Sequence, residues 1–469
     1  MVPTRTHIAA AILLIAAPVL AADGPVEIGS RRELFVDTYL IERLGGSAEL
    51  RLHRPRPRDV VFVTDRPWEG NTSAYFTIFR DGPLYRMVYR GSHVDAKTRK
   101  ATHREVSCYA ESRDGIHWTR PELGLVEFAG SRKNNIVWDG IGTHDFVPFK
   151  DLSPNCPAEA RYKALGRGHP KARRGLYAFR SPDAIHWTLL ADGPIITRGA
   201  FDSQNLAFWD AVRGEYRAYF RDFRAGRRDI RTATSKDFLH WSDPVWLDYP
   251  GAPREHLYTN QIAPYARAPH VLLGFPARYL PRRGSMVEGL LMSSRDGRTF
   301  HRWPEALIRP GPGSGKWQNR SNYIWWGLIE TPSLLPGAPP ELCLYVSEGY
   351  YRGASTAIRR YTIRLDGFVS VHAPGRGGEL VTRPIRFAGK TLSLNVATSA
   401  AGGVRVEIQD AAGQAVKGFA LSNCPELYGD GVDLPVRWAG GGDVSALAGK
   451  TVRLRFALRD ADLYSLRFR

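Results

Sequence analysis

Short stretches of alternating apolar and polar residues run along most of the chain, and Gly, Pro, Asn or Asp interrupts them at close intervals. Residues 75–90 show the design most clearly, as two strands joined at Asp81-Gly82 in an antiparallel hairpin. Residues 206–220 repeat it, and residues 270–275 and 341–346 repeat part of it. Beyond the first 22 residues, no stretch long enough to predict a helix has apolar residues at helical spacing. The pattern therefore predicts an all-β fold.

A seven-residue phrase recurs between these hairpins. Its copies are Ser112–Trp118, Ser181–Trp187, Ser235–Trp241, Ser294–Phe300 and a degraded version at Arg364–Phe368. The third residue is Asp in each copy, and successive Asp residues are 69, 54, 59 and 70 positions apart. Ser and Asp side chains bond nearby backbone N–H groups in turns, and the aromatic residue would begin the next strand. The spacing predicts a repeat architecture.

Each repeat contains a hairpin, a third strand that leads into the phrase and a fourth strand that begins at the aromatic residue. Four antiparallel strands per repeat are typical of a β-propeller blade. Five blades are expected at roughly 65–125, 140–197, 200–250, 256–310 and 323–372. We assign residues 23–378 to this five-bladed propeller and expect Leu34–Ile41 to complete its last blade, which would remove the free sheet edges.

The pattern changes after the Gly-rich segment 375–378. Four further stretches alternate with a period of two residues, namely 391–396, 403–408, 450–456 and 463–468. Such a run of strands is typical of a small antiparallel sandwich. We therefore predict a C-terminal β-sandwich over residues 385–469.

Residues 1–22 have the composition of a secretory signal peptide. Arg5 precedes the apolar run Ile8–Leu20, which is too short to span a bilayer, and small residues precede a cleavage site after Ala21. The prediction is a secreted or periplasmic protein with no integral membrane segment after cleavage. The alternative is an uncleaved anchor.

The net charge of +18 follows from 65 Lys and Arg against 47 Asp and Glu. No nucleic-acid-binding motif accompanies it, so an acidic glycan is the expected partner, with generic coding bias towards Arg as the plain alternative. The four Cys residues are scattered without a Cys-x-x-Cys pair, which argues against a metal site and favours buried free thiols. No phosphate-binding loop is present, so no cofactor is expected.

Candidate chemistry lies at the start of each blade, because the innermost strands of a propeller converge on its central opening. The candidate residues there are acidic, aromatic or amide side chains: Trp68, Glu69 and Asn71, then His144 and Asp145, then Asp202 and Asn205, then Glu255, Tyr258 and Asn260, and finally Glu330. The repeated Asp114, Asp183, Asp237 and Asp296 are expected to form turns only.

The Ser-x-Asp-x-x-x-Trp phrase and this order of acids resemble the five-bladed propeller glycoside hydrolases. Those are the invertase/fructanase and arabinanase/xylosidase families, glycoside hydrolase families 32 and 43, and the resemblance covers roughly residues 60–372. It implies that Asp202 stabilises positive charge on the sugar and that Glu255 is the general acid. Asn71 falls where the invertase group has its catalytic Asp. Glu69, two residues earlier on the same side of the strand, is expected to act as nucleophile or base instead.

Glycosidic cleavage needs one carboxylic acid to protonate the leaving oxygen and one carboxylate to attack or to activate water. The sequence therefore predicts an exported glycoside hydrolase that acts on an extracellular glycan. Two alternatives remain open. Asn71 in place of an acid favours a non-catalytic glycan-binding propeller, whereas His144, Tyr258 and Arg254 would suit a polysaccharide lyase.

Overall fold

The computed structural model describes residues 24–168, 172–313, 316–317 and 321–469. The predicted signal peptide therefore lies outside the described residues. Within them the regular structure consists of β-strands and four short 3-10 turns, at Thr143–Asp145, Ala158–Ala160, Leu421–Asn423 and Ser445–Leu447. The prediction of an all-β fold is confirmed. No helix in the described part of the chain has the length and apolar character needed to cross a membrane.

The N-terminal strands serve two different sheets. They are β1 (Val26–Gly29), β2 (Arg32–Leu34), β3 (Ile41–Gly46), β4 (Glu49–Leu52) and β5 (Arg56–Val63). The first four pair with strands that follow residue 368, whereas β5 joins the propeller.

Five antiparallel sheets form the five predicted blades. Blade 1 contains β6 (Ala74–Asp81), β7 (Leu84–Gly91), β8 (Val106–Ser112), β9 (Trp118–Thr119) and β10 (Ile136–Trp138). Blade 2 contains β11 (Val147–Lys150), β12 (Tyr162–Arg167), β13 (Leu176–Ser181) and β14 (Thr188–Leu189). Blade 3 contains β15 (Leu206–Asp210), β16 (Glu215–Arg224), β17 (Arg227–Ser235) and β18 (Val245–Trp246).

The last two blades depart from a simple four-strand repeat. Blade 4 contains β19 (Ala263–Tyr265), β20 (Ala268–Gly274), β23 (Met292–Ser294) and β24 (His301–Arg302), with the hairpin β21 (Ala277–Leu280) and β22 (Met286–Gly289) inserted between. Blade 5 contains β25 (Ile329–Thr331), β26 (Glu341–Glu348) and β27 (Ala357–Arg364), and β5 is its outer strand.

The prediction that Leu34–Ile41 closes the ring is wrong. Strand β5 closes it instead, pairing Phe62 with Ile358 and Arg56 with Thr362. Pro57 and three charged residues made β5 read poorly as a strand, but an outer strand tolerates proline because its free edge needs no N–H donors. The apolar side chains of residues 34–41 are buried elsewhere, with Phe35 and Leu40 in the core of the C-terminal unit.

The C-terminal unit is built on an eight-stranded sheet. Its strands after blade 5 are β28 (Val369–Ala373), β29 (Gly378–Thr382), β31 (Leu392–Gln409), β32 (Asp430–Pro435) and β33 (Arg453–Phe468), and β30 (Ile385–Phe387) pairs separately with β1. Because β2, β3 and β4 belong to the same sheet, residues 32–52 lie with this unit. The two-layer sandwich arrangement stays a prediction.

The repeated phrase forms the turn that its residues predict. Ser112 Oγ accepts hydrogen bonds from the backbone N–H groups of Asp114 and Gly115 at 3.2 and 2.9 Å. Asp114 Oδ1 accepts from the N–H groups of Ile116 and His117, each at 2.8 Å. The copies at 181–187, 235–241 and 294–300 have the same contacts. These acids are occupied within their turns.

The degraded fifth copy has a different task. Asp366 is fully buried and accepts hydrogen bonds from Tyr265 at 2.6 Å and Arg267 at 2.9 Å, both in blade 4. It also accepts from Ser465 of β33 at 2.7 Å. This carboxylate joins the propeller to the C-terminal sheet.

The turn aspartates should make the protein less stable in acid. Burial alone would raise the pKa of Asp183, but the N–H groups of His186 and Ile185 and the His186 ring outweigh it and lower that pKa to about 2. A folded-state pKa below the unfolded value stabilises the protein above roughly pH 4, and the contribution is lost as the pH falls towards 2. We expect the urea midpoint to fall between pH 6 and pH 3, with a smaller fall in Asp183→Asn. Equal midpoints at both pH values in the wild-type protein would contradict this.

The four cysteines are unpaired. Cys108, Cys343 and Cys424 are buried, as predicted, and Cys156 is half-buried. Among the described residues no group of three or more His, Cys, Asp or Glu side chains is arranged to hold a metal ion.

Candidate functional site

A cavity of about 150 Å³ lies on the axis of the propeller. All five blades contribute to its wall, which includes Thr72, Tyr75 and Arg90 of blade 1, His144 of blade 2, Asp202 of blade 3, Tyr258 of blade 4 and Tyr323, Trp325 and Tyr350 of blade 5. Five blades meet only at the axis, so this is the central opening at which the sequence placed the chemistry.

Two buried glutamines link neighbouring blades to one another. The side-chain amide of Gln261 donates to the Gln204 side chain at 2.8 Å and to the Ile324 carbonyl at 2.9 Å. The Gln204 amide donates in turn to the Phe76 carbonyl at 3.0 Å. These bonds tie blades 1, 3, 4 and 5 together.

Asp202 presents the most accessible carboxylate of the cavity, with 47% of its side chain exposed. His144 Nε2 lies 3.2 Å from its Oδ1, and the Tyr258 hydroxyl lies 3.4 Å from its Oδ2. The structure thus brings three of the predicted site residues, from blades 2, 3 and 4, into direct contact.

Asp202 is held ionised. Burial alone would raise its pKa, but the hydrogen bond and positive charge of His144 outweigh it, and Arg167 and Arg221 add to the effect. The Arg167 guanidinium lies 3.5 Å from Oδ1, and that of Arg221 lies 3.9 Å from Oδ2. The pKa of Asp202 is therefore well below its ordinary value, so this group can accept a proton or stabilise a cation but cannot serve as an acid.

His144 links Asp202 to a second carboxylate. Its Nδ1 lies 3.0 Å from both carboxylate oxygens of Glu105, whose side chain is 29% exposed. Arg90 Nη1 lies 3.1 and 3.2 Å from the two nitrogens of the same ring. Burial would raise the pKa of Glu105, but Arg90 and His144 lower it to about 2. The cavity therefore holds two ionised carboxylates bridged by one imidazole ring.

Arg90 contacts both Glu105 and His144 and holds them in place. Its guanidinium is buried, donates to the Thr72 carbonyl at 2.7 Å and the Tyr350 hydroxyl at 3.1 Å, and lies 3.5 Å from Glu105. It also lies 4.9 Å from the centre of the Tyr75 ring, within cation–π distance.

Aromatic rings form the rest of the wall. Tyr75 meets Trp325 edge-on at 6.0 Å, and Tyr323 stacks on Trp325 at 5.2 Å. Tyr75 has a φ of 57°, a left-handed conformation that is costly for a bulky residue. Backbone strain of this kind is concentrated at functional sites.

Asp145 and Asn205 lie behind the cavity rather than in it. Asp145 is fully buried. It accepts hydrogen bonds from the side-chain amide of Asn205 at 2.5 Å and from the backbone N–H of Arg167 at 2.8 Å. Burial raises the pKa of Asp145 to about 7, against the opposing charges of His144 and Arg167. Both residues position His144 and Asp202, and the structure gives neither one direct access to a substrate.

The structure places Glu69 away from the cavity. Its side chain is fully buried and accepts from the Tyr89 hydroxyl and from Arg120, whose Nε and Nη2 lie 2.9 and 3.0 Å from the two oxygens. Both oxygens are occupied by the scaffold of blade 1, so the expected nucleophile or base is a structural carboxylate.

Glu255 is also separated from Asp202. It lines another cavity, beside Arg254 and Tyr249, and forms ion pairs with Arg278 at 3.0 Å and Arg302 at 2.6 Å. The role of general acid implied by the resemblance does not fit this position, since a group that protonates the leaving oxygen must reach the sugar.

Three further predicted contacts are structural as well, and a fourth, Glu330, lines a different cavity. Asn71 donates to the carbonyls of Val94 and Gly353 at 3.0 and 2.9 Å. The Trp68 indole donates to Asn135, the Asn260 amide donates to the Tyr219 carbonyl, and Glu330 lines an apolar cavity with Gln261 and Trp326.

The sequence analysis missed Glu105, Arg90, Arg167 and Arg221. The three arginines share a position, near the end of the second strand of blades 1, 2 and 3. That regularity is visible in the sequence, but it lies on second strands, away from the blade starts at which the site was predicted. Glu105 precedes the third strand of blade 1, and nothing local distinguishes it from other surface acids.

No protein-family model matches the chain, and no curated protein sequence does. Solved structures resemble it at low identity. An N-acetylgalactosamine deacetylase from F. plautii in complex with blood group B trisaccharide is 13% identical and covers 68% of this chain and 96% of its own, with a TM-score of 0.43. A β-1,2-mannobiose phosphorylase from Listeria innocua is 13% identical, with coverages of 66% and 96% and a TM-score of 0.44.

A glycosyl hydrolase from Bacteroides ovatus is 15% identical and covers 67% of this chain and 94% of its own, with a TM-score of 0.42. Because these identities are low, membership of the invertase and arabinanase families stays a prediction. Activity has to be inferred from the residues of the cavity.

Proposed function

We propose that the protein is a glycan-active enzyme that hydrolyses a glycosidic bond in the central cavity. The observation that carries the proposal is the pair of ionised carboxylates, Asp202 and Glu105, bridged by His144 beneath an aromatic wall. Sugars pack their apolar faces on aromatic rings, and an oxocarbenium-like transition state needs a nearby anion. The first 22 residues support export, so we propose an extracellular glycan as substrate.

The residues divide the chemistry as follows. His144 gives a proton to the leaving glycosidic oxygen as the bond from that oxygen to the anomeric carbon breaks. Asp202 stabilises the positive charge that develops on the sugar ring. Water adds to the anomeric carbon and loses its proton to Glu105. Glu105 then releases a proton to solvent, and His144 regains one from solvent. Water is consumed, and the residues regain their starting states.

A polysaccharide lyase is the second candidate. Tyr258 and His144 both contact Asp202, and Arg221 lies near the same carboxylate. In a lyase one of these groups would remove the proton next to a uronic carboxylate, and an arginine would neutralise that carboxylate. Arg254, named for this role from sequence, lines the other cavity.

A screen of the purified protein against neutral and acidic polysaccharides tests the proposal. Each glycan is incubated with and without inorganic phosphate, and products are separated by mass. Hydrolysis adds one water per cleaved bond, phosphorolysis gives a sugar phosphate, and a lyase gives an unsaturated sugar without added water. We expect hydrolysis products. If the protein binds a glycan but no glycan of the panel gives a product, the non-catalytic alternative would be favoured.

A further inference from the structure

Cationic side chains exceed the carboxylates around the cavity. Three arginines, Arg90, Arg167 and Arg221, surround two ionised acids, Asp202 and Glu105. The excess leaves a positive field in a small cavity, where low-dielectric walls strengthen it.

A long hairpin adds a further positive charge on the blade-3 side. Strands β16 and β17 have ten and nine residues, the longest second and third strands of any blade. Ala225 and Gly226 at the tip both have positive φ, 49° and 75°, which is the geometry of a tight type I′ turn. The hairpin is therefore a rigid wall whose register pairs Phe223 with Arg228.

Arg228 and Arg221 both lie against Tyr258. Their guanidinium carbons lie 5.0 and 4.8 Å from the centre of that ring. Arg228 also lies 4.7 Å from the Tyr279 ring and 5.4 Å from the Phe223 ring. Aromatic rings thus hold both cations next to the residue whose hydroxyl contacts Asp202.

Each of these two guanidinium groups has one buried nitrogen without a hydrogen-bond partner among the described residues. Arg221 is 4% exposed, and its Nη1 has no hydrogen-bond partner among the described residues. Arg228 Nε likewise has no hydrogen-bond partner, and within the described ranges Arg228 forms no ion pair with a carboxylate. Burying a charged donor without a partner is costly, and an anion that accepts from it removes that cost.

We propose that the cavity takes an anionic glycan, with a carboxylate or sulfate group of the sugar that reaches past Tyr258, which lines the cavity, to Arg221 and Arg228, which lie against that ring. This rests on the proposed function, since it names the substrate class of the same cavity. Arg221 already lies 3.9 Å from Asp202 and donates from Nε to the Ala200 carbonyl, and an acidic glycan would supply the further acceptors that Arg221 Nη1 and Arg228 Nε lack among the described residues. The two anionic groups share this chemistry, so the test must separate them.

Calorimetric titration of the full-length protein tests the proposal with two matched pairs of probes. One pair is oligogalacturonate and its methyl ester, and the other is a sulfated galactan oligosaccharide and its desulfated form. We expect one anionic member to bind at least about tenfold more tightly than its uncharged counterpart, and more weakly as salt is added. The pair that shows the difference identifies carboxylate or sulfate.

Arg228→Gln should lower that affinity by about tenfold, because one charge-assisted hydrogen bond is lost. Arg228→Lys keeps the charge and should restore part of it, which separates loss of charge from loss of folding. Arg437→Gln, an exposed arginine of the C-terminal unit, should bind as the wild-type protein does. Equal affinity for charged and uncharged probes, or no binding of either anionic probe, would overturn the proposal.

The outcomes distinguish this inference from the proposed function. Hydrolysis of a neutral glycan that depends on Asp202, with no preference for anions, would keep the function and overturn the inference. If binding depends on charge and is weakened in Arg228→Gln, but no glycan is turned over, the inference would stand and the proposed function would be overturned.

Discussion

Replacing Asp202 with Asn should lower kcat/KM on the cleaved glycan by about a thousandfold. The amide has nearly the shape of the carboxylate but no charge, so the cation on the sugar ring loses its stabilising anion. The hydrogen bond from His144 to the side chain at 202 can persist. Because 47% of the Asp202 side chain is exposed, folding should be little affected. Steady-state rates and a thermal melt measure the two effects separately.

Glu255→Gln is the matched control. It also removes one carboxylate from a blade start, but from the cavity lined by Arg254 and Arg302. We expect its kcat/KM to stay within about threefold of the wild-type value. A large loss in Glu255→Gln with near-normal turnover in Asp202→Asn would return the chemistry to Glu255 and contradict the placement of the site.

Replacing Glu69 with Gln should destabilise the protein by about 3 kcal/mol without abolishing turnover. The fully buried carboxylate is ion-paired with Arg120, whose side chain is 15% exposed, and removing one partner leaves the other charge poorly compensated. Asp65, 3.6 Å from Arg120, compensates in part. The free energy of unfolding, from urea denaturation at constant slope, measures the loss.

Glu122→Gln serves as its control, since this glutamate is an exposed residue of the same part of the chain and should change stability by less than about 0.5 kcal/mol. Wild-type stability together with lost turnover in Glu69→Gln would restore Glu69 as a catalytic group and reject its structural role.

The propeller could be predicted because its blades are marked by local chemistry. The turn at Ser112–Trp118 depends on hydrogen bonds within six residues, so each copy can be recognised from the sequence alone. The closing strand was missed for the opposite reason. Strand β5 is defined by its pairing with β27, some 300 residues away, and nothing in its own proline-containing, charged sequence announces that partner.

The site was predictable only where position along a blade was enough. His144, Asp202 and Tyr258 stand at the starts of three blades, and the ring brings them together. Glu69 and Glu255 stand at equivalent places, but distant arginines pair with them, 51 residues from Glu69 and 47 residues from Glu255. Sequence alone does not reveal such a partner, so it does not separate a catalytic carboxylate from a structural one.

The most direct test is a crystal structure of Asp202→Asn with an oligosaccharide of the glycan that the wild-type protein cleaves. We expect a sugar ring in the central cavity, packed against Tyr75 or Trp325, with its glycosidic oxygen within hydrogen-bonding distance of His144. A sugar bound instead in the cavity beside Glu255, with the central cavity empty, would contradict the account.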